Sequence, residues 1–237
     1  MAEHAKKRTG LVVALVACLA LVGVGGVMAW YNAQSQLTNT FTTGNIKPPT
    51  TDPDKPTVPI DPDHPTNPQV PNLDGNIYEK SWVDKSVITA GSEVAKDPNI
   101  GIAPGSDDAY VFVYVNNKLG TGTSFTIDDS VWKPVAGHVT AVDEAKHVYS
   151  AGLFMYTKGS TEPVLLQAAD TGGNDVWTGE LFQTVTAADD ANITGTTMTV
   201  SAYLAAASNA DEQLSAADAK QAAIEWANHP NGPAVRS

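Results

Sequence analysis

The chain has 237 residues, a net charge of −12 at pH 7 and one cysteine. That charge excludes the basic face on which nucleic-acid binding depends, and it disfavours an anionic lipid surface. A lone cysteine excludes an internal disulfide, so stability has to come from an ordinary core, for which the chain is long enough.

From the start of the chain, Lys6, Lys7 and Arg8 precede an apolar run over residues 11–28, and small residues at Val27 and Ala29 precede Trp30. A basic n-region, a long h-region and small residues at its end make an export signal, residues 1–29, with the cut after Ala29. Two other readings of the stretch compete. Leu15-Val16-Ala17-Cys18 has the shape of a lipoprotein box, although the apolar run continues well past Cys18. An uncut run of about 20 apolar residues is also long enough to span a bilayer, and would leave the protein membrane-anchored. Gly23, Gly25 and Gly26 near its end favour cleavage. Cleavage takes away three basic residues and one acidic one, leaving 11 Lys+Arg against 25 Asp+Glu, a charge of −14. It also takes away Cys18, so the mature chain has no thiol at all.

Residues 30–46 alternate. Tyr31, Ala33, Leu37 and Phe41 fall on odd positions, with Asn32, Gln34, Gln36, Thr38, Thr40 and Thr42 between them. That pattern predicts a half-buried strand, interrupted on its apolar side by Ser35 and Asn39. Residues 47–72 are a proline-rich linker in which Pro53, Pro56, Pro59, Pro62, Pro65, Pro68 and Pro71 recur every third residue. Polyproline II has three residues per turn, so an extended rod with one proline edge is expected, roughly 80 Å long if fully extended. Asp52-Pro53-Asp54-Lys55-Pro56-Thr57 returns as Asp61-Pro62-Asp63-His64-Pro65-Thr66, the mark of a duplication.

Residues 73–237 read as an all-β domain closed by one helix. Ala109-Tyr110-Val111-Phe112-Val113-Tyr114-Val115 is apolar on both faces, as a central strand is. Strand-like runs follow at 147–156, 163–168 and 176–185, and residues 193–204 alternate cleanly. Short strands divided by Gly, Asp and Asn turns predict an antiparallel, jelly-roll-like β-sandwich. Ser215 with Asp218 three residues on caps a final helix, on which Ala219, Ala223 and Trp226 share a face.

Several of these segments occur together elsewhere. Asn39-Thr40-Phe41-Thr42-Thr43-Gly44-Asn45-Ile46 after the signal, Ile77-Tyr78-Glu79-Lys80-Ser81-Trp82, Lys96-Asp97-Pro98-Asn99-Ile100, Ala109-Tyr110-Val111-Phe112-Val113 and Val200-Ser201-Ala202-Tyr203-Leu204 stand in that order. The series resembles the TasA/camelysin-like secreted proteins of Gram-positive bacteria, exported through a SipW-type signal peptidase. The resemblance covers most of the chain outside the linker. Two departures stand out: the proline segment separates the post-signal strand from the domain, and residues 170–180 have no matching segment.

The resemblance implies a secreted subunit of the extracellular matrix that assembles with copies of itself. Residues 30–46 would leave their own subunit and complete the sheet of the next, with Tyr31, Leu37 and Phe41 filling alternate pockets. Such a heterologous contact does not close and grows a filament. The alternative is a monomeric, stalked cell-surface domain that binds glycan or a host or wall partner. A camelysin-like metallopeptidase is the third reading.

For that third reading zinc would need ligands, and the mature histidines are His64, His138, His147 and His229. None stands at helical i, i+4 spacing with another, and no H-E-x-x-H occurs. His138 and His147, with Asp143 or Glu144 between them, are the pair that neighbouring strands would have to bring together. No G-x-S-x-G elbow is present, so no enzyme and no catalytic residue are expected. Trp82, Trp132, Trp177 and Trp226 read as core packing before sugar stacking. No cofactor is expected. The acid pairs Asp107-Asp108, Asp128-Asp129, Asp143-Glu144 and Asp189-Asp190 read as turn formers, with a weak calcium site as the competing hypothesis. Calorimetry showing neither heat nor a shift in melting on adding calcium would dispose of that hypothesis.

Overall fold

The computed structural model describes residues 42–60, 72–81, 86–195, 197–209 and 212–228. The signal with its Val27, Ala29 and Trp30, and Tyr31, Ala33, Leu37 and Phe41 of the candidate donor strand, lie outside the described residues. The chain first makes short pieces: β1 (Thr42–Thr43), β2 (Thr51–Asp52), β3 (Lys55–Pro59), β4 (Asn72–Asp74) and β5 (Ile77–Glu79). Strands β6 (Glu93–Ala95) and β7 (Pro98–Ile102) stand on either side of Lys96-Asp97. Longer strands follow as β8 (Ala109–Asn117), β9 (Gly120–Thr126), β10 (Trp132–Asp143) and β11 (Val148–Tyr156). Next come β12 (Leu165–Leu166), β13 (Val176–Glu180), β14 (Thr184–Ile193) and β15 (Met198–Ala206). Two-residue strands β16 (Ser208–Asn209) and β17 (Glu212–Gln213) lead into helix α1 (Ala216–Ala227).

A nine-stranded sheet runs β1-β15-β8-β11-β9-β14-β6, with β10 also on β11 and β12 on β8. A four-stranded sheet, β13-β7-β5-β4, makes the second layer. The large sheet turns at β11. Its Gly152–Met155 stretch pairs with β8, whereas Val148 and Tyr149 pair with β9. The turn lets β9 and β14 share one core with β8 and β15. Val111, Val113, Val115, Phe125, Phe154, Val185 and Val200 meet Ile77, Ile100 and Ile102 of the smaller sheet there. Phe125 stacks on Phe182 with ring centroids 4.4 Å apart. The all-β sandwich with a terminal helix expected from the sequence is the observed architecture.

The helix covers the other face of the large sheet. Ser215 Oγ accepts from the Asp218 amide at 3.2 Å and donates to the Asp218 carboxylate at 2.5 Å. Ala219, Ala223 and Ala227 are buried against Phe112, Leu153, Tyr203 and Ala205. Trp226 sits at the margin, 5.5 Å from the Tyr203 ring and 6.4 Å edge-on to Tyr114. Alternation along β8 and β15 explains the two cores: even-numbered Phe112 faces the helix, while Val111, Val113 and Val115 face the sandwich.

The extended rod expected from residue 47 onward is corrected by the first part of the segment. Residues 51–59 form an antiparallel pair, β2 with β3. The amide of Asp54 donates to Asp52 Oδ1 at 2.8 Å, so Asp-Pro-Asp builds a local turn where a rod would need continued extension. Pro56 and Pro59 are tolerated because this two-stranded piece is all edge. Asp175 then ties the segment down: its Oδ2 accepts from the Thr50 amide, the Thr51 amide and Thr51 Oγ1 at 2.7, 2.7 and 2.6 Å. Lys80 adds an ion pair with Asp54. The second copy of the repeat lies outside the described residues. Replacing Asp175 with Ala should lower stability by about 2 kcal/mol, since three hydrogen bonds to a carboxylate are lost. It should also speed cleavage within residues 50–60 in limited proteolysis with proteinase K; an unchanged cleavage pattern would show that Asp175 is not the clamp.

Candidate functional site

The Thr-Thr-Gly-Asn-Ile motif that ends the candidate donor strand, residues 30–46, is docked on the domain of its own chain. Strand β1 pairs in parallel with β15, Thr42 with Leu204 and Thr43 with Ala205. At Gly44, φ is 131° and a Cβ would stand 2.4 Å from that of Ala206, so only glycine lets the chain pass. The Asn45 amide then donates to Asp107 Oδ2 at 2.7 Å, and its carbonyl accepts from the Asp107 amide at 2.9 Å. Ile46 is buried in the sandwich core. The Lys47 amide donates to Ser106 Oγ at 3.0 Å, and the Lys47 carbonyl accepts from Ala103. Residues 44–47 therefore zip along the Ala-Pro-Gly-Ser-Asp loop that precedes β8. From sequence, Asp107-Asp108 reads as a pair of turn formers, with calcium ligation as the competing hypothesis. Asp107 holds Asn45, and Asp108 Oδ1 accepts the Ala168 amide at 2.9 Å.

Two other motifs are partners of each other. Lys96 Nζ donates to Glu79 Oε1 at 2.7 Å, with the two side chains 1% and 0% exposed. Asp97 accepts the Ser81 amide with both carboxylate oxygens at 2.9 Å. Burial pushes the Asp97 carboxyl up to about 6, against the hydrogen bonds from Ser81 that lower it and with the charges of Glu79 and Glu180 adding to the rise. Beside it, burial and then the charges of Asp52 and Asp97 hold the Tyr78 hydroxyl well above its ordinary range. The Glu-Lys-Ser segment and the Lys-Asp-Pro segment thus form one polar knot at the edge between the two sheets.

His138 and His147, the pair that a zinc site would have needed, are not brought together. Val139, next to His138, pairs with Gly152, whereas Val148, next to His147, pairs with Asp143. Four residues of ladder, roughly 13 Å at 3.3 Å per residue, separate those two pairs, and each histidine lies one residue further out. His147 Nε2 instead lies 3.3 Å from Asp129. Among the described residues no group of three or more His, Cys, Asp or Glu could hold a metal ion. Asp128 accepts from Ser130, and Asp143 caps the 3-10 turn Glu144–Lys146 by accepting from the Lys146 amide. A cavity of about 430 Å³ lies between Asp128 and Val131 on one side and Gly179–Thr184 on the other. Its Glu180 carboxylate accepts from Gln183 at 3.0 Å. Of the tryptophans, Trp132 is fully buried, Trp177 lies over Gly101 and 5.7 Å from Tyr78, and Trp226 is the helix contact already described. Trp82 lies outside the described residues.

No family model, curated protein or solved structure matches this chain.

The polar knot makes a pH prediction. Asp97 is neutral in both folded and unfolded chains below its ordinary value of 3.8, and charged in both well above about 6. Its stabilising contribution is therefore complete below pH 3.8 and lost as pH rises through about 6, where the charge must be carried in a buried place. Asp97→Asn keeps an oxygen for the Ser81 amide and removes the charge. The stability of this variant relative to wild type should rise between pH 4 and pH 7, by up to about 3 kcal/mol. Thermal melts across that range check it; a constant difference would mean that Asp97 titrates normally.

Proposed function

We propose that this protein is an exported structural subunit that assembles with copies of itself by strand addition on β15. One observation carries the reading: β1 starts a parallel ladder on the outer edge of β15, and the residues that would extend it are those of the candidate donor strand. Strand β15 is paired with β8 along all nine of its residues, and its sequence Met-Thr-Val-Ser-Ala-Tyr-Leu-Ala-Ala contains no charge. The opposite end of the large sheet is different. Strand β6 has three residues and carries Glu93, the short, charged kind of edge that resists further pairing.

Carrying the observed register backward sets Phe41 level with Tyr203, Asn39 with Ser201 and Leu37 with Thr199. These positions lie on the helix side of β15, where Tyr203 already packs against Phe112 and Trp226. The apolar odd positions of the donor would then extend the helix-side core and the polar even positions would face the sandwich margin. Main-chain hydrogen bonds supply affinity, and alternate side chains supply register. The same register serves a strand in its own subunit or in a neighbour. With the chain from another subunit, the contact is heterologous and propagates.

The stalked reading has less support. A rod that carries a domain away from the membrane must have only one end on that domain. Here Ile46 on one side of the proline segment and Tyr78 on the other are both buried in the fold, so both flanks of the segment stand on the same domain. The SipW-type peptidase remains the proposed processing partner, and the extracellular matrix or cell surface the proposed location.

Sedimentation and electron microscopy of residues 30–237, beside residues 42–237 and the Leu37→Asp, Phe41→Asp double variant, test this. Residues 42–237 retain the docked Thr-Thr-Gly-Asn-Ile motif, so loss of assembly there cannot be blamed on the anchor. Filaments are expected from the first chain alone. Monomers from all three, or filaments from all three, would overturn the proposal.

A further inference from the structure

We propose that Lys96 and Glu79 are joined by an intramolecular isopeptide bond. The pair is fully enclosed: Nζ lies 2.7 Å from Oε1, and the side chains are 1% and 0% exposed. The other carboxylate oxygen, Oε2, is buried with no hydrogen-bond partner among the described residues. A buried ion pair repays its desolvation only when its remaining polar atoms are satisfied, and here one is not. An N–O contact of that length sets the amine nitrogen within near-attack range of the carboxyl carbon, and the enclosing core holds it there. Lysine amines are competent nucleophiles once uncharged and desolvated.

The bond forms by condensation and needs no oxidant or further reactant. One proton passes from the Lys96 ammonium to the Glu79 carboxylate, giving amine and acid. The Nζ lone pair then attacks Cδ, and a second Nζ proton moves to the departing oxygen. The Cδ–Oε1 bond breaks, and Oε1, which already accepts the Lys96 proton, leaves with both protons as water. An Nζ–Cδ amide remains, with Oε2 as its carbonyl. The two buried charges are gone.

The place of the bond in the fold gives it a purpose. Lys96 lies where the chain crosses from β6 of the large sheet to β7 of the small one, and its amide already donates to the Gln183 carbonyl at 3.0 Å. Glu79 ends β5, opposite Pro98. The amide would staple the crossing between layers in a chain whose only cysteine is Cys18. This inference does not depend on the assembly reading.

The test is the intact mass of the purified, folded wild-type chain measured under denaturing conditions, with tandem mass spectrometry of its digest. The expected mass is lower than the sequence mass by one water, and the digest should yield a branched peptide joining the segments that contain Glu79 and Lys96. Lys96→Met and Glu79→Ala should each return to the full sequence mass. A full sequence mass for the folded wild type would overturn the proposal. So would a missing water that maps to a linear peptide at Asp74-Gly75, where succinimide formation loses the same mass.

Discussion

The two layers of this protein are fastened at one point by polar side chains buried away from water: Glu79, Lys96 and Asp97. Lys96 follows the last strand of the large sheet, Asp97 follows Lys96, and Pro98 opens the inner strand of the small sheet. The chain must therefore turn from one layer to the other within two residues, and both of those residues are charged and buried. Lys96 reaches back to Glu79, and Asp97 reaches back to the Ser81 amide. The turn between layers is thereby pinned to the end of β5, which is the neighbour of β7 in the small sheet. A pair of apolar side chains would fill the same space, and such replacements are often neutral or stabilising. What apolar residues lack is direction. Lys96 on the Glu79 side chain and the Ser81 amide on Asp97 define where β5 ends relative to where β7 begins. Breaking one member while leaving the other buried is the costly change, about 3–5 kcal/mol in comparable sites.

That pin also decides what the proline segment does. The small sheet holds β4 and β5 in place, so the chain returning from residue 72 arrives at a fixed point. On the other side, Asp107, Ser106 and Ala103 hold residues 45–47, and Asp175 holds residues 50 and 51. Both ends of the proline-rich stretch are thus delivered to the same domain. Closing such a loop costs entropy that grows only slowly with length, so a long insertion between two anchored ends is well tolerated. Proline lowers the cost further by restricting the unfolded chain.

Much of this was readable from residues, and the failures have physical causes. Strands β8 and β15 announce themselves because an unbroken apolar run and a clean alternation survive burial on both faces. The helix cap was legible because Ser215 and Asp218 act within one turn, where no tertiary context intervenes. Strands β9 and β10 were not singled out. Gly120-Thr-Gly-Thr-Ser-Phe-Thr has apolar weight only at its end, and β10 breaks register three times against β11, which destroys the period of two. The Asp-Pro-Asp-Lys-Pro repeat looked like a rod because proline period was read without the aspartates that fold it back. For the candidate site, Glu79 and Lys96 stand in two separate segments, and nothing in the sequence signals that they touch. Asp107 was equally opaque. An aspartate pair in a turn reads the same whether it faces solvent or holds a segment sixty residues away.

Anchoring the Thr-Thr-Gly-Asn-Ile motif at home limits how strand addition can work. Residues 44–47 are held by Asp107, Ser106 and the carbonyl of Gly105, contacts that a donor leaving for another subunit would have to give up if it took the motif with it. Exchange that begins upstream of Gly44 gives up only the two-residue ladder at Leu204 and Ala205. The economical hinge is therefore Thr43-Gly44, where glycine already supplies an unusual backbone angle. A donor swinging from that hinge has about a dozen residues, roughly 40 Å when extended, with which to reach the edge of the next subunit. Subunits linked this way must sit side by side along the β15 edge, since no spacer intervenes. In the proposed assembly, rigidity then comes from the docked motif, and the proline segment, flanked on both sides by residues of one domain, carries none of the load.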